Sequence, residues 1–256
     1  MKQQDKAALF AQLHVKGAPL LLYNAWDAGS AKAILAAGAR AIATSSWSVA
    51  EAQGYRDGET IPLEFFQRIV ARIASAVDVP VSVDFEGGYS EDDSVVAENV
   101  SQLLGLHVIG INFEDRLVKG QGLHPIDRQA RRIAAIRGAA RKRGIELFIN
   151  ARSDVFFGAG DPVELMHEAI DRAKAYASAG ASGFFAPGLV DDTLIGRLCE
   201  ATELPVNVMV MDGVSSARRL GALGVARVSF GPIPYVRAMQ SLREQAHDAL
   251  QERREP

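Results

Sequence analysis

The sequence predicts an α/β protein with the (β/α)8 barrel architecture, and three observations favour it. Short apolar segments alternate with Ala-rich amphipathic segments eight times along the chain. The apolar segments are apolar on both faces, as expected for parallel strands that helices bury. The length of 256 residues also fits, because such barrels run to about 250 residues. A doubly wound open sheet is the alternative, but neither GxGxxG nor GxxxxGK[ST] occurs to anchor a nucleotide fold.

The predicted elements cover nearly the whole chain, so we expect one domain over residues 1–256. Strands are predicted at residues 20–24, 40–44, 81–84, 108–114, 147–150, 183–186, 206–210 and 227–230. Helices are predicted in the Ala-rich segment that starts at residue 31 and ends at Gly38, and at residues 63–77, 92–104, 126–143, 162–179, 191–202 and 215–223, with a last helix at residues 235–252. Five helical segments are followed by a glycine that can take the left-handed conformation ending a helix, namely Gly38, Gly105, Gly144, Gly180 and Gly224.

Composition and charge exclude several classes of protein. Apolar residues make up 48% and charged residues 23% of the chain, which is ordinary globular usage. The net charge of −3, without a long basic run, argues against a nucleic-acid-binding surface. Cys199 is the only cysteine, which excludes an internal disulfide or a multi-thiolate zinc site. The N-terminal segment does not resemble a signal peptide, and no apolar run reaches the roughly 18 residues of a membrane span. We therefore expect a cytoplasmic protein that binds neither nucleic acid nor membrane.

Acidic residues cluster at the carboxyl ends of the predicted strands, where a barrel of this kind carries its active site. Asp84 and Glu86 end the third strand, and alternation points both to the same side. Glu114 ends the adjacent fourth strand. Carboxylates this close raise one another's pKa or recruit a cation, and oxygen ligands without His or Cys suit Mg²⁺ or Mn²⁺. A structural hydrogen-bond cluster is the alternative. Other polar residues after strands are interpreted as helix N-caps, namely Asp27, Ser48, Asp92 and Asp161.

Polar groups on other strands face this cluster. Arg152, after the fifth strand, can hold a substrate carboxylate or stabilise a developing oxyanion. Ser45 and Ser46, after the second strand, add hydroxyl and backbone N–H groups, and Asn207 on the seventh strand is a further candidate for substrate contact. Together these groups suit a small 2-oxo acid whose enolate forms in the transition state.

Two loops beside the strand ends are candidate lids. Residues 116–127 form a longer connection than a normal βα turn, with Gly120 and Gly122 as flexing points. A long surface loop is the alternative. This segment carries His124, the one histidine placed to act as a proton donor. Residues 51–59 form the second candidate and contain Asp57.

Seven segments of the chain resemble the isocitrate lyase and phosphoenolpyruvate mutase superfamily. They are NAWDAGSA (24–31), TSSWS (44–48), GYRDGE (54–59), VDFEGGYS (83–90), GINFEDR (110–116), NARSDVF (150–156) and GVARVSFGP (224–232). The resemblance implies a Mg²⁺-dependent barrel enzyme that acts on C–C or C–P bonds next to a 2-oxo acid, through an enolate of pyruvate. It implies direct metal binding by Asp84, action through bound waters by Glu86, Glu114 and Asp57, and substrate binding by Ser45, Ser46 and Arg152.

The resemblance also concerns assembly. The superfamily commonly swaps its last helix between subunits and forms tetramers. We therefore expect a homo-oligomer, a tetramer or a dimer, in which residues 235–252 pack on a neighbouring subunit.

The sequence departs from the better-known branches at the positions of their acids. The lyases carry a catalytic Cys in a KKCGH-like motif after strand four, whereas residues 119–124 contain none. Cys199 cannot replace it, because it lies inside a predicted outer helix. The lyases also place a Glu just after the Pro that ends strand six, whereas Pro187 is followed by Gly188. The KTNS-like loop and the His after strand six of the mutases are absent as well.

These features predict a Mg²⁺-dependent lyase that cleaves a C–C bond of a small 2-oxo or 2-hydroxy di- or tricarboxylate through a pyruvate enolate. The reaction would resemble that of an oxaloacetate decarboxylase or a methylisocitrate lyase, and decarboxylation is the simplest version because it needs no Cys acid. One alternative is C–P chemistry like that of phosphoenolpyruvate mutase or phosphonopyruvate hydrolase, with Asp57 as nucleophile or water-positioning group. The other is an oxo-acid-binding protein that has kept the acidic site and lost the chemistry.

Overall fold

A closed barrel of eight parallel strands forms the centre of the molecule. The computed structural model describes residues 1–251. The strands are β1 (Leu20–Leu22), β2 (Ile42–Ala43), β3 (Val81–Asp84), β4 (Gly110–Glu114), β5 (Phe148–Arg152), β6 (Gly183–Phe185), β7 (Val206–Met209) and β8 (Arg227–Ser229). They pair in the order β1-β8-β7-β6-β5-β4-β3-β2. A single parallel bridge between Ala25 and Thr44 joins β1 to β2. The predicted (β/α)8 barrel is confirmed.

Helices alternate with the strands and cover most of the outside of the barrel. They are α1 (Gln3–Gln12), α2 (Ala28–Ala36), α3 (Ser46–Ala52), α4 (Leu63–Ala76), α5 (Asp93–Gly105), α6 (Ile126–Lys142), α7 (Pro162–Ser178), α8 (Asp192–Ala201), α9 (Ala217–Ala222) and α10 (Ile233–Gln251), with a 3-10 helix at Asp154–Phe157. Every helix predicted from the sequence is present. Residue 252, the predicted end of the last helix, lies outside the described residues. None of the helices formed by residues 1–251 is both long enough and apolar enough to cross a bilayer.

Two helices, α1 and α3, lie where the sequence pattern predicts none. In α1, Phe10 is fully buried and packs edge-on against Phe148, with 5.3 Å between ring centroids. The His14 ring, just after α1, stacks on Phe148 at 4.0 Å. Because Phe148 is the first residue of β5, α1 closes the amino-terminal end of the barrel, opposite to the predicted site.

The helix-capping predictions are mostly confirmed. Asp27, Asp92 and Asp161 each accept a hydrogen bond from a backbone N–H in the first turn of the following helix. The assignment of Ser48 as a cap is wrong, because α3 begins earlier and its N-cap is Ser45, whose hydroxyl accepts from the Ser48 N–H. Gly105 does not end α5 in a left-handed conformation either. It is the last residue of that helix, and His107 takes the left-handed conformation with φ 64°.

The outer face of β1 is the one strand face left without a covering helix in the described part of the chain. Leu21 and Tyr23 point outward and remain 49% and 39% exposed. They line a largely apolar groove of about 860 Å³ between α2 and the start of α10. Helix α10 runs away from the barrel, and Pro234 is its only buried residue among those described. Its exposed apolar side chains are Val236, Met239, Leu242 and Leu250.

Candidate active site

A small polar cavity lies at the carboxyl ends of the strands. Its volume is about 140 Å³, and it is lined by Asn24, Ser45, Ser46, Trp47, Asp57, Asp84, Asn112, Arg152, Phe185, Met209, Ser229, Gly231 and Pro232. Five residues predicted from the sequence therefore meet here, namely Ser45, Ser46, Asp57, Asp84 and Arg152. Glu86 and Glu114 are also buried, with exposed fractions of 8% and 5%, and lie next to this lining rather than on it.

Three donors fix the carboxylate of Asp84. The backbone N–H and the hydroxyl of Ser46 donate to Oδ2 at 3.0 and 2.9 Å. The Asn112 side-chain amide donates to Oδ1 at 3.2 Å. Both oxygens are thus oriented before any ligand arrives, and the Ser46 N–H is directed at Asp84 rather than at a substrate. Asn112 had no predicted role, and its one sequence signal is an amide in the middle of a buried apolar strand.

Glu86 lies just beyond β3 in a left-handed conformation with φ 48°. A non-glycine residue in this region is uncommon, and such residues concentrate at functional sites. Its Oε2 accepts a hydrogen bond from the backbone N–H of Glu59 at 2.9 Å, and Glu59 Oε1 accepts from the Tyr89 N–H at 2.7 Å. Glu59, which had no predicted role although it lies in the GYRDGE segment, therefore attaches the loop of Asp57 to the acidic site.

Burial and mutual repulsion raise the pKa values of several carboxyl groups. Burial, with repulsion from Asp57, Glu114 and Asp84, raises the pKa of Glu86 to about 9. Burial, with repulsion from Asp84, also raises the pKa of Asp57. These carboxylates lack enough positive charge around them, and a bound cation would supply it.

Arg152 is the cation of the site, and two carboxylates hold it. Its Nη1 lies 3.0 Å from Glu114 Oε2, while Nε and Nη2 donate to the two oxygens of Asp154 at 2.6 and 2.9 Å. Burial alone would lower the pKa of Arg152, but Glu114 and Asp154 raise it well above its ordinary value. Burial raises the pKa of Glu114 to about 8 in spite of Arg152. Asp154 follows Arg152 closely in the NARSDVF segment, yet nothing in the sequence shows that the Asp154 carboxylate binds the guanidinium of Arg152.

The donor set fits Mg²⁺ held largely through water. In residues 1–251 no three His, Cys, Asp or Glu side chains converge closely enough to ligate one ion directly. Mg²⁺ commonly takes one or two carboxylates and keeps several waters. The arrangement therefore agrees with direct ligation by Asp84 and water-mediated contact to Asp57, Glu86 and Glu114. That ligand set stays a prediction.

Two predicted site residues lie away from the cavity lining. The His124 ring is buried, with Nε2 3.4 Å from Glu91 Oε2, and burial lowers its pKa. The Asn207 amide donates to Ser229 Oγ at 3.1 Å, below the cavity. Asn207 can thus reach a substrate only through Ser229, which does line the cavity. Their roles as proton donor and substrate contact stay predictions.

The loop after β4 folds back on itself. Arg116 and Leu123 form an antiparallel bridge, the Leu117 N–H donates to the Gly122 carbonyl at 3.0 Å, and Gly122 has φ 82°. Its base is fixed where the His124 N–H donates to the Asp115 carbonyl at 2.7 Å. The loop thus makes hydrogen bonds within itself, and its role as a lid stays a prediction.

Neither Cys199 nor position 188 replaces the acids that the lyases carry. Cys199 lies in α8, 5% exposed, and burial raises its pKa to about 11. Gly188 has φ 87°, and a Cβ there would lie 3.1 Å from the backbone carbonyl atoms of Phe156 in the 3-10 helix. A glutamate at position 188 would require that helix to move.

Fold and site together define a (β/α)8-barrel protein with an acidic centre and a clamped arginine at the carboxyl ends of its strands. The family model of phosphoenolpyruvate phosphomutase matches residues 10–250, and the chain belongs to this family. The predicted resemblance to the phosphoenolpyruvate mutase and isocitrate lyase superfamily, whose members include lyases and mutases, is thereby confirmed.

Three proteins similar to this chain are an uncharacterised protein, a lyase and a candidate phosphonomutase. An uncharacterised protein of Mycobacterium tuberculosis (strain H37Rv) is 37% identical over 231 residues, which cover 88% of this chain and 83% of that protein. The 2-methylisocitrate lyase of Escherichia coli (strain K12) is 26% identical over 261 residues, covering 98% and 86%. The crystal structure of a candidate phosphonomutase from Burkholderia cenocepacia J2315 is 43% identical with a TM-score of 0.94, covering 97% and 100%.

Proposed function

We propose that the protein is a Mg²⁺-dependent lyase that cleaves a C–C bond of a small 2-oxo or 2-hydroxy dicarboxylate or tricarboxylate through a pyruvate enolate. The observation that carries the proposal is one cavity in which Asp57 and Asp84 face Arg152. The cavity of about 140 Å³ is well below the roughly 300 Å³ at which ordinary ligand pockets begin. It favours the smallest substrates of this class, of which oxaloacetate is one.

The side chains of the site have distinct tasks in this reaction. Arg152 binds an anionic oxygen of the substrate at the edge of the cavity, and the Ser45 hydroxyl lies on the same lining. Asp84, fixed by Ser46 and Asn112, would hold Mg²⁺, with Asp57, Glu86 and Glu114 reaching it through water. When bound, the ion would supply positive charge to the enolate oxygen. Because Asp154 and Glu114 already orient Arg152, little reorganisation is needed as charge develops.

Decarboxylation is the version that the site supports best. The relative in E. coli is named a 2-methylisocitrate lyase, but the loop after β4 offers no Cys and position 188 no Glu. Loss of CO₂ leaves an enolate that water or a loop residue can reprotonate, so it needs neither acid. We extend this proposal to Mn²⁺ as an alternative ion, because the same oxygen ligands suit it.

A second candidate is C–P chemistry on a phosphonopyruvate. Asp57 favours it, since this carboxylate lines the cavity and could act as nucleophile or hold an attacking water. The relative from B. cenocepacia is named as a candidate phosphonomutase. An oxo-acid-binding protein without turnover is the third possibility.

One experiment separates the three. The purified protein is incubated with Mg²⁺ and oxaloacetate, methylisocitrate, 2,3-dimethylmalate or phosphonopyruvate, and the formation of pyruvate, phosphate and phosphoenolpyruvate is measured. Pyruvate without phosphate supports the lyase. Phosphate release from phosphonopyruvate, or its conversion to phosphoenolpyruvate, supports C–P cleavage. Binding of oxalate with no turnover of any compound would support the oxo-acid-binding protein and contradict the proposed lyase.

The proposed assembly is a homo-oligomer in which α10 of one copy covers β1 of another. Two observations support it. The groove over β1 exposes Leu21 and Tyr23, whereas α10 projects Met239 and Leu242 into solvent. A second copy of α10 would bury both apolar surfaces at once, and contiguous exposed apolar patches mark such contacts. The oligomer would be a dimer or a tetramer with exchanged helices.

A further inference from the structure

A guanidinium is buried inside the barrel, beneath the acidic site. Arg227 lies on β8 and is fully inaccessible to solvent. Its register neighbours are Leu20 on β1 and Asn207 on β7. No carboxylate of residues 1–251 lies within ion-pair distance of it, and its Nη1 has no hydrogen-bond partner. Burial lowers its pKa to about 9, although Asp84 acts in the opposite direction.

Such an arrangement is costly to fold. Barrel interiors of this type are usually filled with branched apolar side chains, and a buried charge without an opposite charge beside it destabilises the native state. A merely space-filling role would be served better by Met or Leu. The contacts of Arg227 therefore need a reason connected with the site above it.

Two hydrogen bonds connect Arg227 to residues that line the cavity. Nη2 donates to Asn112 Oδ1 at 3.2 Å, and Nε donates to Ser229 Oγ at 3.2 Å. Both Asn112 and Ser229 line the cavity. Asn112 Oδ1 accepts a second hydrogen bond, from Asn150 Nδ2 at 2.9 Å.

The two donors decide which way the Asn112 amide points. An asparagine side chain offers an oxygen on one side and an NH₂ group on the other, and its surroundings choose between the two orientations. With Arg227 and Asn150 both donating to Oδ1, Nδ2 is left to donate to Asp84 Oδ1, as observed at 3.2 Å. In the flipped orientation an amide oxygen would face the Asp84 carboxylate, which is repulsive.

We propose that Arg227 is a positioning residue for Asp84 and acts through the carboxamide of Asn112. The inference rests on the proposed function in one respect, namely that Asp84 binds a divalent cation. Outer partners of metal ligands typically contribute 10–100-fold to metal affinity. We expect Arg227→Met to weaken Mn²⁺ binding by about 10-fold or more, measured as free Mn²⁺ by electron paramagnetic resonance.

A matched control exists in the same molecule. Arg137 on α6 is also buried, at 8% exposure, and its Nη1 also has no hydrogen-bond partner, although Glu146 Oε2 lies 3.9 Å away. Its other nitrogens contact Gly180 and Ser182 away from the cavity. Arg137→Met should lower the melting temperature while leaving Mn²⁺ affinity within twofold of the wild type. Weaker Mn²⁺ binding in both variants, to the same extent, would show a general loss of stability and contradict the proposal.

Two further variants keep the proposal testable if Arg227→Met does not fold. Arg227→Lys retains a positive charge and a donor nitrogen, so it should keep most of the Mn²⁺ affinity. Asn112→Leu should weaken Mn²⁺ binding by about 10-fold or more, and adding Arg227→Met to Asn112→Leu should cause no additional loss. Independent, additive losses would contradict action through Asn112. Unchanged or tighter binding in Arg227→Met would do so too, since loss of a nearby positive charge alone should favour a dication.

A measurement without metal separates this inference from the proposed function. A crystal structure of metal-free Arg227→Met should show the Asn112 amide rotated and its contact with Asp84 lost, and an unchanged contact would overturn the positioning role. If Arg227→Met does not fold, metal-free Asn150→Ala, which keeps Arg227 and its hydrogen bond to Asn112 Oδ1, should retain the contact. Loss of the contact there would show that Asn150 sets the orientation and would contradict the proposal. Failure of the wild-type protein to bind Mn²⁺ would instead contradict the proposed function, and the orientation of Asn112 would still decide the inference.

Discussion

Ser46 gives both its backbone N–H and its hydroxyl to a single oxygen of Asp84, at 3.0 and 2.9 Å. The two residues belong to different βα units, so the orientation of the carboxylate depends on how the end of β2 sits against the end of β3. Hydrogen bonds to charged groups contribute about 1.5–3 kcal/mol each. Ser46→Ala, which keeps the N–H, should therefore reduce turnover about 10-fold or more. Ser178→Ala, at an exposed hydroxyl on α7, should leave the rate unchanged, and equal effects in the two variants would contradict the assignment.

Removing the main charges of the site should have larger effects. Asp84→Ala and Arg152→Ala should each lower turnover by about 100-fold or more, the usual scale for loss of an electrostatic stabiliser. Turnover is measured with a compound of the substrate panel that the wild-type protein converts. Arg131→Ala, at an exposed arginine on α6, serves as the control. A near-normal rate in either site variant would refute its role.

Metal removal should lower thermal stability, because the carboxylates of the site then repel one another. At a Mg²⁺ concentration of about 100 times Kd, binding should contribute about 2.7 kcal/mol, which corresponds to a rise in Tm of roughly 5–10 °C for a chain of this size. The rise is measured by calorimetry after treatment with EDTA and readdition of Mg²⁺. Asp84→Ala should show no such rise, whereas Asp192→Ala, at an ion pair with Arg219 that is not part of the cavity lining, should show all of it.

The buried imidazole of His14 should make stability depend on pH. Burial, with repulsion from Arg227, lowers its pKa from 6.5 to about 3. The folded state therefore keeps His14 neutral, while the unfolded chain binds a proton below about pH 6.5. Stability should be complete above that pH and fall as the pH drops towards 3, by on the order of 3 kcal/mol at pH 4 from this group alone. His14→Phe, which keeps the stacking on Phe148, should flatten this decline in urea-unfolding curves. His167→Phe, at a partly exposed histidine on α7, should not.

The exposed apolar surfaces of β1 and α10 should control assembly. Leu242→Glu and Leu21→Glu should each shift the protein towards monomers in light scattering after gel filtration, because a charge would be desolvated at the contact. Val163→Glu, at a residue of α7 that is 50% exposed, is the matched control. A wild-type protein that is monomeric at high concentration would contradict the helix exchange.

The barrel and the acidic cluster could be predicted from the sequence because both depend on local pattern. Buried strands are read as apolar runs, and Asp84 and Glu86 stand out at the end of such a run. The residues that hold the site side chains in place could not be predicted from local pattern. Arg227 and Asn112 lie 115 positions apart, and their contact depends on the register of strands around the barrel. Glu59 contacts Glu86 through its backbone N–H, a contact that no residue type signals. Helix α1 lacks the periodicity that would predict a helix.

The single bridge between Ala25 and Thr44 has a kinetic consequence. Every other neighbouring pair of strands is joined by at least two residues on each side, whereas β1 and β2 share little beyond the hydrogen bonds of Ala25 and Ser45. Local opening of the barrel should begin at this seam, and the amide protons of Ala25 and Ser45 should exchange with deuterium before those of β4 and β5. Ser45 and Ser46 follow the seam directly. The positions of the site hydroxyl groups therefore depend on the strand contact that should open most easily. A helix or subunit that packs on β1 from outside would slow this exchange.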